Sequence, residues 1–183
     1  MVFSKSDTYL EEELLEIETI RKIYTNLGIK CLLISCYKKK DISKISDLIK
    51  NKTTLFSGNS GVGKSTIINC LNAKLNLKTQ SVSKITNKGR HTTTFAQMYD
   101  IDKNTRVIDS PGIKGFGLVD MKRNEIYRYF PELLEASKNC RFKNCIHIDE
   151  PECEVKKRLV SGEISNYRYE SYVNLIHESK MIR

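Results

Sequence analysis

The pattern of apolar and polar positions predicts helices and strands that alternate from the start of the chain. Thr8–Leu27 carries apolar residues at helical spacing, with acids early and bases late, and Gly28 follows it. This spacing predicts an amphipathic helix that Gly28 ends. The apolar run Cys31–Ile34 predicts a short buried strand, and Asp41–Ile49 predicts a second helix with Asp41 as its N-cap.

The middle of the chain continues this alternation. Thr53–Ser57, Thr93–Asp100 and Thr105–Asp109 have the apolar character of strands. Lys64–Asn72 has the pattern of a helix, and residues 75–92 are polar and rich in turn-forming residues, which predicts a loop. Strands that alternate with helices indicate an α/β fold with a mostly parallel sheet.

The last third of the chain has helical patterns on both sides of a segment rich in Cys and His. Met121–Ala136 is mostly helical, with an interruption near Pro131, and Glu154–Val160 and Ile164–Glu178 predict two closing helices. We therefore expect a small helical unit after the sheet.

The charge is unevenly distributed over the 183 residues, whose net charge is +9. Residues 21–91 hold fifteen Lys or Arg and only two acids, and no Asp or Glu occurs between Leu48 and Tyr99. Such a span favours polyanions such as nucleotide phosphates or RNA, although Lys38–Lys40 alone would be typical of a solvated surface. No stretch is apolar enough for a membrane helix or a signal peptide, so we expect a cytoplasmic protein without a membrane partner.

A phosphate-binding loop is the strongest motif in the sequence. The segment G-N-S-G-V-G-K-S at residues 58–65 matches G-x-x-x-x-G-K-[ST] and lies between a predicted strand and a predicted helix. Lys64 would neutralise the β- and γ-phosphates, and Ser65 would bind Mg²⁺. The predicted phosphate-binding residues are Gly58, Asn59, Ser60, Gly61, Val62, Gly63, Lys64, Ser65 and Thr66.

A second motif, D-S-P-G at Asp109–Gly112, follows an apolar strand. Its aspartate would reach Mg²⁺ through water, and the Gly112 N–H would sense the γ-phosphate. Between the two motifs, one threonine of residues 92–94 would complete the Mg²⁺ shell, and we select Thr93. Together these parts predict a nucleotide switch.

The guanine-reading motif N-K-x-D does not follow the D-x-x-G motif. A related segment stands at the front of the chain, at Ser4, Lys5, Ser6 and Asp7, and Ser35-Cys36 resembles a base-contact loop. Base loops that precede the phosphate loop define a circularly permuted GTPase order. Because Ser4 replaces the Asn of the motif, we expect a weakened preference for guanine, read mainly by Asp7.

Four potential metal ligands lie close together, at Cys140, Cys145, His147 and Cys153. Three thiolates and one imidazole form a closed set for one structural Zn²⁺, and a cytoplasmic chain would keep these thiols reduced. The nearby basic residues are candidates for contact with RNA: Arg141, Lys143, Lys156, Lys157 and Arg158. The aromatic residues of the last helix are either core or an RNA-stacking face, and we favour core for most of Tyr167, Tyr169 and Tyr172.

These motifs together resemble those of the ribosome small-subunit-dependent GTPases, the RsgA/YjeQ family. The resemblance extends to G-R-H-T-T-T at residues 89–94 and to Phe130-Pro131-Glu132. It implies a protein that hydrolyses GTP to GDP with Mg²⁺ on the small (30S) ribosomal subunit, contacts 16S rRNA and assists late maturation. It also implies a permuted GTPase domain at residues 1–128, followed by a helical zinc-binding domain at residues 129–183. We expect a monomer.

The chain departs from the family pattern at its start. The family's OB domain is absent from the sequence, as are the strand and helix that precede the base motif. We therefore expect an N-terminally incomplete GTPase domain. The missing strand would leave a gap between the phosphate-loop strand and the base-motif strand.

The water-attack step lacks its usual side chain. Many GTPases place a glutamine directly after D-x-x-G, whereas this chain has Ile113 there, so His91 is our candidate for orienting water. Such an enzyme would be slow alone and would depend on a partner, which the basic span suggests is rRNA. The alternatives are a nucleotide-gated RNA-binding protein with negligible hydrolysis, an inactive fragment, and, least favoured, an ATPase.

Overall fold

The computed structural model describes residues 1–77, 96–111 and 121–178. The chain divides into two compact units, Met1–Gly115 and Phe116–Arg183. None of the described helices is long and apolar enough to cross a membrane.

The first unit alternates strands and helices, which confirms the predicted α/β class. In the described residues its elements are β1 (Val2–Phe3), α1 (Glu11–Asn26), β2 (Leu32–Leu33), α2 (Lys39–Ile49), β3 (Thr53–Phe56), α3 (Lys64–Leu71), a 3₁₀ helix (Ala73–Leu75), β4 (Gln97–Asp100) and β5 (Arg106–Asp109).

The described strands form two sheets. Strands β1 and β2 pair in parallel, and β5 lies between β3 and β4. Strand β5 is parallel to β3 but antiparallel to β4, so the predicted mostly parallel sheet has one antiparallel edge. This reversal follows from the short turn between β4 and β5, where Asp102 Oδ1 accepts the N–H groups of Asn104 and Thr105 at 2.9 Å each. Among these strands, β1 and β3 do not pair.

The helices of this unit cover the sheets unequally. Helices α2 and α3 contribute most of the core, which consists of Ile34, Ile45, Ile49, Ile67, Ile68 and Val107. Helix α1 forms where the sequence predicted it and ends before Gly28, whose φ is 77°. However, α1 contains no fully buried residue, and Leu15 is 71% exposed. The amphipathic pattern therefore predicted the helix correctly, but the apolar side chains of α1 are not fully buried.

One capping prediction is wrong. Helix α2 begins at Lys39, so Asp41 lies in its first turn and is not its N-cap. The buried Asp41 carboxylate instead accepts the backbone N–H of Ser35 at 3.1 Å and pairs with Lys44 at 2.8 Å. The Asp41 side chain thus accepts a hydrogen bond from a residue six positions earlier in the chain, and α2 begins without a side-chain cap.

The second unit is helical in its described part. It contains a 3₁₀ helix (Arg123–Tyr129), α4 (Pro131–Ser137), α5 (Glu154–Val160) and α6 (Asn166–Glu178). The predicted interruption at Pro131 is confirmed, because proline begins α4, where its missing N–H costs no hydrogen bond. The 3₁₀ helix packs into this unit through the buried Ile126, ahead of residue 129, where we predicted the domain to begin.

The core of the second unit surrounds its cysteines and the aromatic residues of α6. Its buried members are Ile126, Phe130, Leu133, Ala136, Cys145, Cys153, Val155, Ile164, Tyr172 and Ile176. The prediction of a core role is confirmed for Tyr172, which is fully buried, whereas Tyr167 is exposed. A partly buried ion pair joins α4 to α6: Arg168 Nε lies 2.6 Å from Glu132 Oε1, and the Arg168 guanidinium covers the ring of Phe130.

Candidate nucleotide site and metal centre

The phosphate-binding loop joins β3 to α3, as the sequence predicts. Gly61 and Gly63 have φ values of 82° and 94°, a region that side chains with a Cβ rarely adopt. The second of these glycines is the N-cap of α3, so the helix begins at Lys64 directly after the loop. The N–H groups at the start of a helix favour anions, which makes this turn suitable for phosphate.

Lys64 lies across the loop that precedes it. Its Nζ donates hydrogen bonds to the carbonyl oxygens of Gly58 at 2.7 Å and Asn59 at 3.0 Å. These contacts hold the ammonium group at the loop. The lysine therefore brings a positive charge to the place where the backbone can bind phosphate.

Ser65 and Asp109 meet where β3 and β5 end. In the parallel pair β3–β5, Phe56 is opposite Asp109, so the residues that follow both strands share one edge. Ser65 Oγ donates to Asp109 Oδ2 at 3.1 Å, and Ser110 Oγ donates to the carbonyl of Phe56 at 2.9 Å. Two of the three predicted magnesium ligands are thus in direct contact.

The Asp109 carboxylate is suited to a cation. It is buried, and within the described part of the chain its Oδ1 has no hydrogen-bond partner. Burial raises the pKa of Asp109, while the hydrogen bond from Ser65 and the charge of Lys64 oppose that rise. A buried carboxylate oxygen without a partner is costly, and a divalent cation beside it would remove that cost.

The predicted base-contact residues follow the ends of β1 and β2. Phe3 is opposite Leu33 in this parallel pair, and the pairing extends through Ile34 N–H to the Phe3 carbonyl at 2.9 Å. Ser6 N–H then bonds the Ile34 carbonyl at 3.0 Å, which brings the Ser4–Asp7 segment against the Ser35-Cys36 segment. The structure thus brings together the two segments that the sequence assigned to the base.

Two ionisable side chains, Asp41 and Cys36, lie at these two segments. Asp41 fixes the buried Ser35 through its N–H, and the Lys44 hydrogen bond is the main reason that the pKa of Asp41 is lowered. Burial, then the neighbouring Cys70 thiol and the charge of Asp7, raise the pKa of Cys36 to about 12. Cys36 is therefore a neutral thiol at pH 7, beside the carboxylate expected to read guanine.

A hydrogen bond connects the base segment with the phosphate loop. Ser4 Oγ donates to the backbone carbonyl of Val62 at 2.5 Å. The two predicted halves of one nucleotide site are thus in contact, although they lie 58 positions apart in the chain. His91, Thr93 and Gly112, the remaining predicted nucleotide residues, lie outside the described residues.

The second unit contains four side chains arranged to hold a metal ion. The ligand atoms of Cys140, Cys145, His147 and Cys153 all lie within 4.8 Å of one another. His147 Nδ1 is 3.6 Å from the Cys140 sulfur and 3.5 Å from the Cys153 sulfur, so Nδ1 is the ring nitrogen that faces the thiols. Cys140 is half-buried and the other three are buried, which describes a closed centre.

Backbone contacts hold the turn that presents His147. This residue has a φ of 60°, and Glu150 accepts the N–H groups on both sides of it, from Ile146 at 2.7 Å and Ile148 at 3.0 Å. From helix α6, the Tyr169 hydroxyl donates to the His147 carbonyl at 2.7 Å. The geometry of the ligand is thus fixed by the chain around it.

The electrostatics of these ligands depend on burial. Burial lowers the pKa of His147 against the opposing charge of Glu150, so the imidazole is neutral and able to bind metal at pH 7. Burial is also the main cause that raises the pKa of Cys145 to about 12, and it raises the pKa of Cys153. A cation that binds here would displace thiol protons and provide the charge that burial disfavours.

Sequence reasoning missed Asp41 and Glu150 as supports of the two sites. Asp41 was assigned to a helix cap, and Glu150 was not singled out. The signal for Glu150 was its place between the ligands His147 and Cys153, where a carboxylate can close a turn by accepting backbone N–H groups. For Asp41 the pattern offered no signal, because the N–H group that it accepts lies six positions earlier, outside its helix.

The chain is similar in sequence to known proteins over most of its length. The model of the family described as RsgA GTPase matches residues 1–119. A curated protein from Christiangramia forsetii named small ribosomal subunit biogenesis GTPase RsgA is 47% identical over 176 residues, which cover 96% of this chain and 56% of that protein. The protein of the same name from Flavobacterium psychrophilum is 48% identical over 176 residues, with 96% and 54% covered. The chain thus spans about half the length of the curated relatives it matches.

Two solved structures have the same fold. The crystal structure of YjeQ from Thermotoga maritima matches with a TM-score of 0.82 and 33% identity, and the match covers 100% of this chain and 60% of that one. YloQ, described as a circularly permuted GTPase, matches with a TM-score of 0.75 and 26% identity, covering 100% and 57%. These likenesses confirm the predicted permuted GTPase fold class.

Proposed function

The chain belongs to the RsgA GTPase family, and we propose that it binds and hydrolyses GTP in the biogenesis of the small ribosomal subunit. The observation that carries this proposal is the contact between Ser65 and Asp109 at 3.1 Å, with Asp109 Oδ1 buried and without a hydrogen-bond partner among the described residues. The named relatives are GTPases, so an RNA-binding protein with negligible hydrolysis is not favoured.

In this proposal the described residues position phosphate and neutralise charge. Lys64 moves from the loop carbonyls to the β- and γ-phosphate oxygens, and the N–H groups of the loop bind the same phosphates. Ser65 and Asp109 hold Mg²⁺, which as a Lewis acid stabilises negative charge on the phosphates. Phosphoryl transfer to water needs positioning and charge stabilisation more than covalent chemistry, which these groups supply.

The remaining nucleotide contacts are proposed from the sequence. Thr93 completes the Mg²⁺ shell, Gly112 binds the γ-phosphate through its N–H, and His91 orients the attacking water. On the base, the carboxylate of Asp7 accepts the N1 and N2 hydrogens of guanine and Lys5 covers the ring. Ser6, Ser35 and Cys36 line the same segment.

The metal centre is proposed to bind one structural Zn²⁺. Three cysteines and a histidine are a closed tetrahedral set, which leaves no position for a substrate. On this assignment the second compact unit, which includes the predicted residues 129–183 and also Ile126, is a zinc-binding domain, and the first unit is a GTPase domain. The metal would hold together the turns around residues 140–153.

The partner in this proposal is the small ribosomal subunit with its 16S rRNA, bound by a monomer in the cytoplasm. The long basic span at residues 21–91 and cations near the metal centre support it. Of those cations, Arg141 and Arg158 are engaged with acids of their own unit, Glu152 and Glu154. In the described structure Lys143 and Lys156 form no ion pair, so they are the better candidates for an RNA phosphate.

The test is GTP hydrolysis by the whole chain, measured with and without purified small ribosomal subunits. We expect stimulation by the subunits, and we expect Lys64→Ala to lower the stimulated rate roughly 100-fold or more. Lys103→Ala removes an exposed lysine from the β4–β5 turn and serves as the matched control. Equal rates with and without subunits would contradict the proposed partner, and full activity of Lys64→Ala would contradict the proposed site.

A further inference from the structure

Ser4 occupies the position at which the guanine motif carries asparagine, and its contact with the phosphate loop defines what it can do. Its Oγ donates to the Val62 carbonyl at 2.5 Å. It also lies beside the next residue of the loop, since a Cβ placed on Gly63 would be 3.9 Å from Ser4 Oγ. The serine is therefore seated against the loop expected to bind phosphate.

The backbone on both sides of Ser4 is held in place. The Phe3 carbonyl accepts the N–H of Ile34 at 2.9 Å, which fixes the residue before it. The next residue, Lys5, has a φ of 61°, and its carbonyl accepts both the N–H and the hydroxyl of Thr8 at 2.9 Å. With its backbone fixed, Ser4 keeps its hydroxyl near Val62, and turning that hydroxyl elsewhere would lose the bond.

A count of protons separates serine from asparagine at this position. A serine hydroxyl has one proton to donate, whereas an asparagine amide has two. The N7 and O6 atoms of guanine are acceptors only. While its proton is on the Val62 carbonyl, Ser4 has none to give to N7. An asparagine could hold the same carbonyl and also donate to the base.

We propose that Ser4 ties the base segment to the phosphate loop and leaves N7 of the guanine base unread. This inference rests on the proposed function, because it concerns how the same site selects its nucleotide. It assigns Ser4 to positioning the phosphate loop and assigns recognition of guanine to the opposite edge of the base, which Asp7 reads through N1 and N2. The chain should therefore accept purine nucleotides that lack N7.

The test compares GTP with 7-deaza-GTP, in which a C–H group replaces N7. Affinity is measured for the whole chain by displacement of a fluorescent GDP. We expect wild type to bind the two nucleotides within about twofold of each other. Ser4→Asn should prefer GTP by roughly two- to tenfold, the value of one neutral hydrogen bond. Ser46→Ala, which alters an exposed serine on α2, should behave as wild type.

A second variant tests the connection between the two segments. Ser4→Ala should weaken GTP and 7-deaza-GTP by the same factor, because the lost bond acts on the phosphate loop. In the absence of nucleotide, it should also speed hydrogen exchange of the loop amides at Val62 and Gly63, which Ser46→Ala should not do. Unchanged exchange in Ser4→Ala would contradict the positioning role.

The outcomes separate this inference from the proposed function. If wild type binds GTP at least fivefold more tightly than 7-deaza-GTP, N7 is read and the inference is overturned, while the proposed function stands. If wild type binds neither nucleotide, the proposed function is overturned and the inference with it. Equal binding of both, with discrimination gained in Ser4→Asn, supports the inference.

Discussion

Replacing Glu150 by Gln should weaken metal binding although Glu150 is not a ligand. Its two carboxylate oxygens accept the N–H groups of Ile146 and Ile148, which flank His147. His147 itself has a φ of 60°, a conformation that costs a residue other than glycine of order 1 kcal/mol or more. The carboxylate therefore offsets a cost that the ligand geometry imposes.

The size of the effect follows from these bonds. Glutamine keeps one acceptor oxygen but turns an NH₂ group toward the other N–H, so at least one charge-assisted hydrogen bond is lost. Such a bond contributes about 1.5–3 kcal/mol. Loss of a group that orients a metal ligand lowers affinity by about 10- to 100-fold, which agrees with that range.

The assay is Zn²⁺ competition with a chromophoric chelator, supported by the visible spectrum of the Co²⁺-loaded protein. Asp149→Asn is the matched control, because it removes a neighbouring exposed carboxylate. We expect a 10- to 100-fold loss for Glu150→Gln, with a weaker or altered Co²⁺ spectrum, and a change below about threefold for the control. An equal loss in both variants would show that negative charge acts on the metal and would refute the role of the hydrogen bonds.

Three further predictions concern the fold and the nucleotide site. Glu132→Gln should lower the free energy of unfolding by about 1.5–3 kcal/mol in urea, because it removes the carboxylate that accepts a charge-assisted hydrogen bond from the mostly buried Arg168 side chain, whereas the exposed Glu135→Gln should cost less than about 1 kcal/mol. The pKa of Asp41 is lowered in the folded protein, so its ionised carboxylate stabilises the fold. This contribution to the free energy of unfolding is complete above the ordinary pKa of Asp and is lost as the pH falls through the lowered pKa. Asp41→Asn should therefore flatten the acid limb of stability against pH, and an unchanged slope would contradict this. Ser65→Ala should weaken GTP binding in the presence of Mg²⁺ but not in EDTA, as measured by displacement of fluorescent GDP.

The sequence predicted best those parts whose chemistry prescribes residue types at fixed spacing. The phosphate loop is one such part, because close approach to phosphate requires glycines at positions such as Gly63. The four metal ligands are another, since thiolates and imidazole in one short segment have few other uses. In both cases the structure brings together the residues that the sequence selected.

Other features could not be predicted from the pattern of apolar and polar residues, because they depend on strand direction and on turns. Apolar alternation predicted β4 and β5 but cannot distinguish a parallel from an antiparallel neighbour, which the Asp102 turn decides. The role of Asp41 was missed because a side chain at a helix start can bond its own helix or a distant N–H, and spacing does not separate the two. His91, Thr93 and Gly112 remain predictions.

The presence of two of the proposed metal ligands within the core of the second unit would link its folding to metal supply. Cys145 and Cys153 pack with Ile126, Leu133 and Tyr172, so side chains that close the core are also those proposed to bind the ion. The apolar contacts and the metal bonds would then form in one event. By mass action, each tenfold rise in free metal above the dissociation constant should add about 1.4 kcal/mol to the unfolding free energy of this unit. The fraction of folded protein would then vary with the zinc concentration of the cell.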